Sequence, residues 1–149
     1  MDPGFNVADF RAKHLKDTNE CRKRHAAEPL VLCEELNKFA QEWADKIAQT
    51  GQLQHRVENR YGENIAAGYS LADMDAVKNW YSEESQYKYD VGKFSNETGY
   101  FTQLVWRDSR RLGVGVAKSA SGVYYVVANY DPPGNFVGAF VKNVGTKRK

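Results

Sequence analysis

The sequence predicts an α+β fold, a layered domain of helices on a mainly antiparallel central sheet. Helical periodicities crowd the first half of the chain, while aromatic and β-branched runs crowd the second. One of those runs, from Val123 to Tyr130, is apolar on both parities, as expected of a central strand covered on both faces. Helices on one stretch and antiparallel strands on the next imply a layered domain. At 149 residues a single domain is expected, with enough chain to bury a core without staples. Its bounds fall at 5–144, leaving tails at 1–4 and 145–149.

The elements follow in order. Val7, Phe10, Leu15 and Cys21 stand among many charges up to about His25, a weakly amphipathic helix that packs on one narrow face. Pro29 ends that segment. Leu36, Phe39, Ala40, Trp43, Ala44, Ile47 and Ala48 then recur at three- and four-residue steps, a helix with a wide apolar stripe. Gly51 stops it. Residues 52–69 predict irregular or short-helical structure. In Ser70-Leu71-Ala72-Asp73 a hydroxyl precedes a carboxylate by three positions, a capping arrangement that opens a helix with Ala76, Val77, Trp80 and Tyr81 inside. Glu83 and Glu84 close it, and 86–98 is a loop.

Gly99 leads into the aromatic and β-branched run that ends at Trp106, and this predicts a strand. Leu112, Val114 and Val116 alternate with Gly113 and Gly115, a strand that another backbone can approach closely. Ser119-Ala120-Ser121-Gly122 predicts a hairpin turn. The central strand runs on through Asn129-Tyr130-Asp131 to a stop at Pro132-Pro133-Gly134.

Composition narrows the partners. A net charge of +2 is too small to point to nucleic acid, and the basic cluster Lys147-Arg148-Lys149 reads as a solvated end. The longest uninterrupted apolar run is far short of the ~20 residues that span a bilayer. The start, Met1-Asp2-Pro3-Gly4-Phe5, has neither the charge-then-apolar order of a secretory signal nor a glycine next to the initiator Met for myristoylation. These features predict an intracellular protein, cytoplasmic or peripherally Golgi-associated without a myristoyl anchor. An extracellular mature chain is the alternative. Two cysteines, Cys21 and Cys33, do not make a disulfide framework, and free thiols are expected, with one bridge between the first two helices as the competing reading.

His55, Glu63, Glu83 and Tyr100 each stand beside a glycine or an aromatic at the edge of an expected element. Taken singly, each has an ordinary structural explanation, and spacing does not join them. Four ordered segments do: Gly62-Glu63-Asn64-Ile65, Trp80-Tyr81-Ser82-Glu83, Gly99–Trp106 and Asn129–Asn135. Together they resemble the signature segments of the CAP superfamily of cysteine-rich secretory, antigen-five and pathogenesis-related proteins. Asn19-Glu20-Cys21-Arg22 is similar to that family's first-helix motif, and the chain is most similar to the small intracellular, Golgi-associated branch. Val114 and Ala128 stand in the neighbourhoods where secreted members carry cysteines.

The resemblance implies an α-β-α sandwich with a cleft formed by His55, Glu63, Glu83 and, where the family has a second histidine, Tyr100. A phenol with a pKa of about 10 is a poor base and a poor zinc ligand at neutral pH. The expected role is therefore a polar, hydrogen-bonded cleft floor with no catalytic residue and no cofactor, leaving room for a weakly held divalent cation at His55. If Glu63 and Glu83 share the cleft, their repulsion raises one pKa, which a protonated His55 would relieve. The rival is a metal-assisted hydrolase or protease, with Glu63 or Glu83 as general base and His55 as ligand or acid.

A second feature is Tyr87-Lys88-Tyr89-Asp90-Val91-Gly92-Lys93-Phe94. Its aromatics follow the spacing described as caveolin-binding, and in family members this loop is associated with sterol. Tyr87, Tyr89 and Phe94 either pin a long loop to the core or contact lipid, with Lys88 and Lys93 suited to a headgroup boundary. The leading expectation is a non-enzymatic module that binds lipid (sterol, fatty acyl or phosphoinositide) or protein partners at membranes. A caveolin-like or autophagy-factor partner and a self-associating homodimer are further expectations that the resemblance implies.

Overall fold

The computed structural model describes residues 5–57, 59–71 and 74–148. Helix α1 spans Val7–Arg24, and strand β1 is the short Val31–Leu32. Helix α2 covers Glu34–Thr50 and strand β2 Gly62–Gly68. Helix α3, Ala76–Tyr81, runs into a 3₁₀ turn at Ser82–Gln86. Helix α4 is Gly99–Leu104, strands β3 and β4 are Arg111–Lys118 and Tyr124–Asp131, and helix α5 is Phe140–Asn143. The expected tail residues 1–4 and Lys149, and Ala72-Asp73 of the expected cap, lie outside the described residues.

The sheet has the order β1-β3-β4-β2. β4 pairs antiparallel with both β3 and β2, and its residues from Tyr124 to Tyr130 are all buried. β1 joins β3 in parallel, so the sheet is mixed. α2 covers one face, where Ala40, Ala44 and Ile47 meet Ile65, Ala117, Tyr125 and Val127. α1, α3 and α4 cover the other, on Val114, Val116, Val126, Ala128 and Tyr130. The sandwich that the resemblance implies is present, with three layers.

The alternating glycines of β3 explain how closely α2 lies. A Cβ built on Gly113 would sit 2.2 Å from the Leu36 carbonyl, and one on Gly115 would sit 2.6 Å from that of Ala40. Asn37 and Gln41 on the same face of α2 accept from the backbone N–H groups of Val114 and Val116. At the far end of α2, Gly51 takes a left-handed conformation with φ 73° and donates its N–H to Ile47, the expected stop.

Two expectations are corrected. Residues 62–68 are a strand, although Gly-Glu-Asn-Ile-Ala-Ala-Gly has little intrinsic strand preference. Continuous pairing with β4, from Gly62 opposite Tyr130 to Gly68 opposite Tyr124, holds it extended. Gly99–Trp106 begins as helix α4, and Phe101 to Trp106 are buried without a break. A short run buried on all sides carries no periodicity, so helix and strand read alike in sequence. Cys21 and Cys33 are free thiols, as expected.

Candidate functional site

The four signature segments meet around β2. Asn64 on β2 donates to the Tyr100 carbonyl at 3.0 Å and to the Tyr130 hydroxyl at 3.3 Å, while Asn129 on β4 donates to the Gly62 carbonyl. Thr102 and Asn135 share a 2.6 Å bond, Asn135 donates to the Gly99 carbonyl, and the Gln103 amide oxygen accepts from Gly134 N–H. Buried polar groups are costly unless partnered. These amides therefore weld α4 to β2 and to the turn that follows β4.

On that frame stands the cleft. Glu63, whose side chain is almost fully buried, accepts from His55 Nδ1 at 2.8 Å and from Arg56 N–H at 3.0 Å on one oxygen. Its other oxygen accepts from the Asn59 amide at 2.8 Å. His55 is half exposed, and the carboxylate on Nδ1 makes that nitrogen the donor and turns Nε2 toward Tyr100. The Tyr100 hydroxyl stands 3.5 Å from that nitrogen, a long contact, with the two ring centroids 6.0 Å apart. Arg56 anchors the segment by donating to the Phe39 carbonyl and lying over the Phe39 ring.

Glu83 is on the other side of Tyr100. It accepts from Phe101 N–H at 2.9 Å and so caps α4, whose own N-cap residue, Thr98, makes no side-chain cap bond. Burial raises the Glu83 pKa above the usual carboxylate range, against the lowering pull of the Phe101 and Tyr100 N–H groups. Burial likewise raises the Tyr100 phenol, helped by the charges of Glu83 and Glu63. The structure thus brings His55, Glu63 and Tyr100 into one cluster and sets Glu83 beside Tyr100 as a capping group. Among the described residues, no three His, Cys, Asp or Glu side chains are grouped so as to hold a metal ion.

The aromatic loop divides. Tyr87 is buried against Phe101 and Tyr89. Tyr89 stacks on His25 and donates its hydroxyl to Glu84 at 2.9 Å. Phe94 alone of the three is exposed. Tyr87 and Tyr89 pin the loop to the core, and only Phe94 is free to meet a ligand from solvent.

Sequence reasoning passed over a groove of about 370 Å³ between the first half of α1 and the 71–77 segment. Phe5, Phe10, Leu71, Met74, Val77 and Val126 give it apolar walls. His14 lines it, is buried, and leaves Nε2 without a hydrogen-bond partner among the described residues. Desolvation lowers its pKa to about 4 despite the attraction of Asp17 and Asp75, so the imidazole is neutral. Phe10, His14, Thr18 and Cys21 fall at helical steps, so the burial of His14 was readable from spacing while the groove beside it was not. Trp80 joins the two regions, its ring 5.6 Å from His14 and 6.1 Å from Tyr100.

A three-layer sandwich whose signature amides converge on one strand is the class that fold and site define. Residues 15–130 match the model of the cysteine-rich secretory protein family, CAP, and the chain belongs to that family. It is 38% identical over 146 residues to human Golgi-associated plant pathogenesis-related protein 1, covering 94% of this chain and 95% of that one. Pathogenesis-related protein 1 of Arabidopsis thaliana is 33% identical over 133 residues, 89% of this chain and 82% of the relative. Among solved structures, that of NaASP2 with Zn2+ superposes with a TM-score of 0.76 at 22% identity, covering 99% of this chain and 90% of that one. This last likeness concerns the fold alone.

Proposed function

We propose that the protein is a non-enzymatic module that holds an apolar ligand, a fatty acyl chain or a sterol, in the groove beside α1. The supporting observation is the groove itself: apolar walls, a volume of about 370 Å³ and, in its wall, a buried neutral imidazole whose Nε2 has no hydrogen-bond partner among the described residues. Ligand sites are concave, mostly apolar and equipped with a few placed polar groups. A ligand's chain would lie along Phe10, Leu71 and Val77, with the exposed Lys13 beside a carboxylate or hydroxyl headgroup.

The His55 cleft supports a structural role on this reading. All three donors on Glu63 come from the 55–59 loop, and Glu83 is committed to capping α4. A Golgi-associated location, after the name of the human relative, belongs to this proposal as well; no helix among the described residues is long and apolar enough to cross a membrane.

Displacement of a fluorescent fatty acid by palmitate or cholesterol tests the proposal. Leu71→Trp, which fills the groove from a half-buried position, is expected to weaken binding about tenfold or more, and Phe94→Ala to leave acyl binding nearly unchanged. Equal binding by the native chain and Leu71→Trp would remove the groove from the mechanism. Tight zinc binding by the native protein in calorimetry would instead favour the metal-assisted hydrolase.

A further inference from the structure

The basic end of the chain, which composition alone reads as solvated, is held against the last turn of α1 as far as Arg148. Arg148 donates its backbone N–H to the Arg24 carbonyl at 2.7 Å, and the His25 ring donates to the Gly145 carbonyl at 2.8 Å. Between the second half of α1, the bend at 26–29 and Arg148 lies an open groove of about 690 Å³. Ala26, Ala27 and Pro29 give it an apolar lining, and Lys16, Lys23 and Arg148 stand along it. Its frame is tied down: Asn19 makes two bonds to the Leu30 backbone, and Ala27 N–H donates to the Arg22 carbonyl at 3.0 Å.

Charge is concentrated here. Lys16, Lys23, Arg24, Lys147 and Arg148 are all exposed, and none forms an ion pair among the described residues. Glu20 and Glu28 are the carboxylates of the lining, so five cations stand against two anions, and the local excess of +3 exceeds the +2 of the whole chain. Burial lowers the His25 pKa, and the charges of Lys147 and Arg24 add to that, which places both cations at the same helix end. Lys16 and Lys23 are two turns apart on α1, about 10 Å at the helical rise per residue. That is too far for one phosphate to bridge, and an extended chain covers it in about three residues.

We infer that this groove binds an acidic peptide segment of a partner protein, with one carboxylate at Lys16, a second three positions on at Lys23 and Arg148, and apolar side chains between them against Ala27 and Pro29. Basic clusters recognise acidic motifs in this way, and a groove tied down before binding loses little freedom when it is filled. The inference stands apart from the acyl groove, because no residue lines both.

Fluorescence anisotropy of the full chain with a labelled peptide, glutamates at its first and fourth positions and leucines between, tests it. The native chain is expected to bind at low salt and to weaken as salt is raised. Lys23→Glu combined with Arg148→Glu should weaken binding roughly tenfold or more. The thermal midpoint should be retained, since both side chains are exposed and Arg148 is seated by its backbone. Lys88→Glu combined with Lys93→Glu makes the same change in net charge on the aromatic loop and should leave binding within about twofold. The inference is overturned if the native chain does not bind the peptide, or if the two double substitutions weaken binding equally, which would leave only attraction by net charge. It is also overturned if millimolar inorganic phosphate, at matched ionic strength, displaces the peptide completely, which would assign the groove to phosphate groups.

Discussion

Single side chains in this fold do work that their type alone does not announce. Arg22 is fully buried with no carboxylate partner among the described residues, and it donates to the carbonyls of Glu28, Leu104, Trp106 and Ser109. Desolvation lowers its pKa to about 10, yet it stays charged at neutral pH. Four carbonyl dipoles replace its hydration, which is how a guanidinium is tolerated in a core. His14 illustrates the opposite solution, neutrality. Its folded pKa of about 4 lies below the unfolded value of 6.5, so the unfolded chain binds the extra proton between those two values. Its stabilising contribution is whole above pH 6.5 and is lost as pH falls toward 4, on the order of 3 kcal/mol. Burial also lowers the His25 pKa, which adds a change of the same sign. Denaturant unfolding at pH 7 and pH 4 should show a large acid loss in the native chain and a much smaller one in His14→Leu. Parallel losses in both would show that His14 is not held neutral.

At the scale of elements, the closest contact is α2 against β3. Gly113→Ala would drive a methyl to 2.2 Å from the Leu36 backbone, and a helix carbonyl does not move aside as a flexible side chain does. A cost of about 3 kcal/mol is expected for such overpacking, a fall in Tm on the order of 10 °C for a chain of this length. Gly122→Ala, in the hairpin turn, meets no neighbour within 4 Å and carries only its positive φ of 92°, so its loss should be smaller. A comparison of the two midpoints by calorimetry checks the ranking. The glycine alternation was readable because close backbone approach leaves its mark on residue type. The wide stripe of α2 and the doubly apolar β4 were readable for the same reason: burial on a defined face writes a period. β2 and α4 were not, because β2 is held by pairing with β4 and the buried run from Phe101 to Trp106 carries no period. The cleft residues were recognisable from motif likeness, but the capping role of Glu83 depends on where α4 begins, and sequence alone placed a strand there.

For the molecule as a whole, the two ends of α1 are held very differently. Its C-terminal half is fixed by the four bonds of Arg22 and by Asn19, which both donates to and accepts from the Leu30 backbone at 3.1 and 2.8 Å. Its N-terminal half borders the groove with Phe10 and His14, and its tie to the sheet runs through Arg11, which donates to the Val114 carbonyl. Local stability follows contact density, so the first turns of α1 should open at lower free energy than the β3–β4 ladder. A ligand in the groove binds only when those turns are closed and must stabilise them most. At a concentration of 100 times Kd it adds about 2.7 kcal/mol to the folded state, a rise in Tm on the order of 5–10 °C. Hydrogen exchange should show amides 10–14 slowed by palmitate more than those of 126–130, and Leu71→Trp should show neither the slowing nor the shift. Uniform slowing throughout the chain, or slowing centred on the 87–98 loop, would move the ligand away from α1 and return the aromatic loop to the leading position.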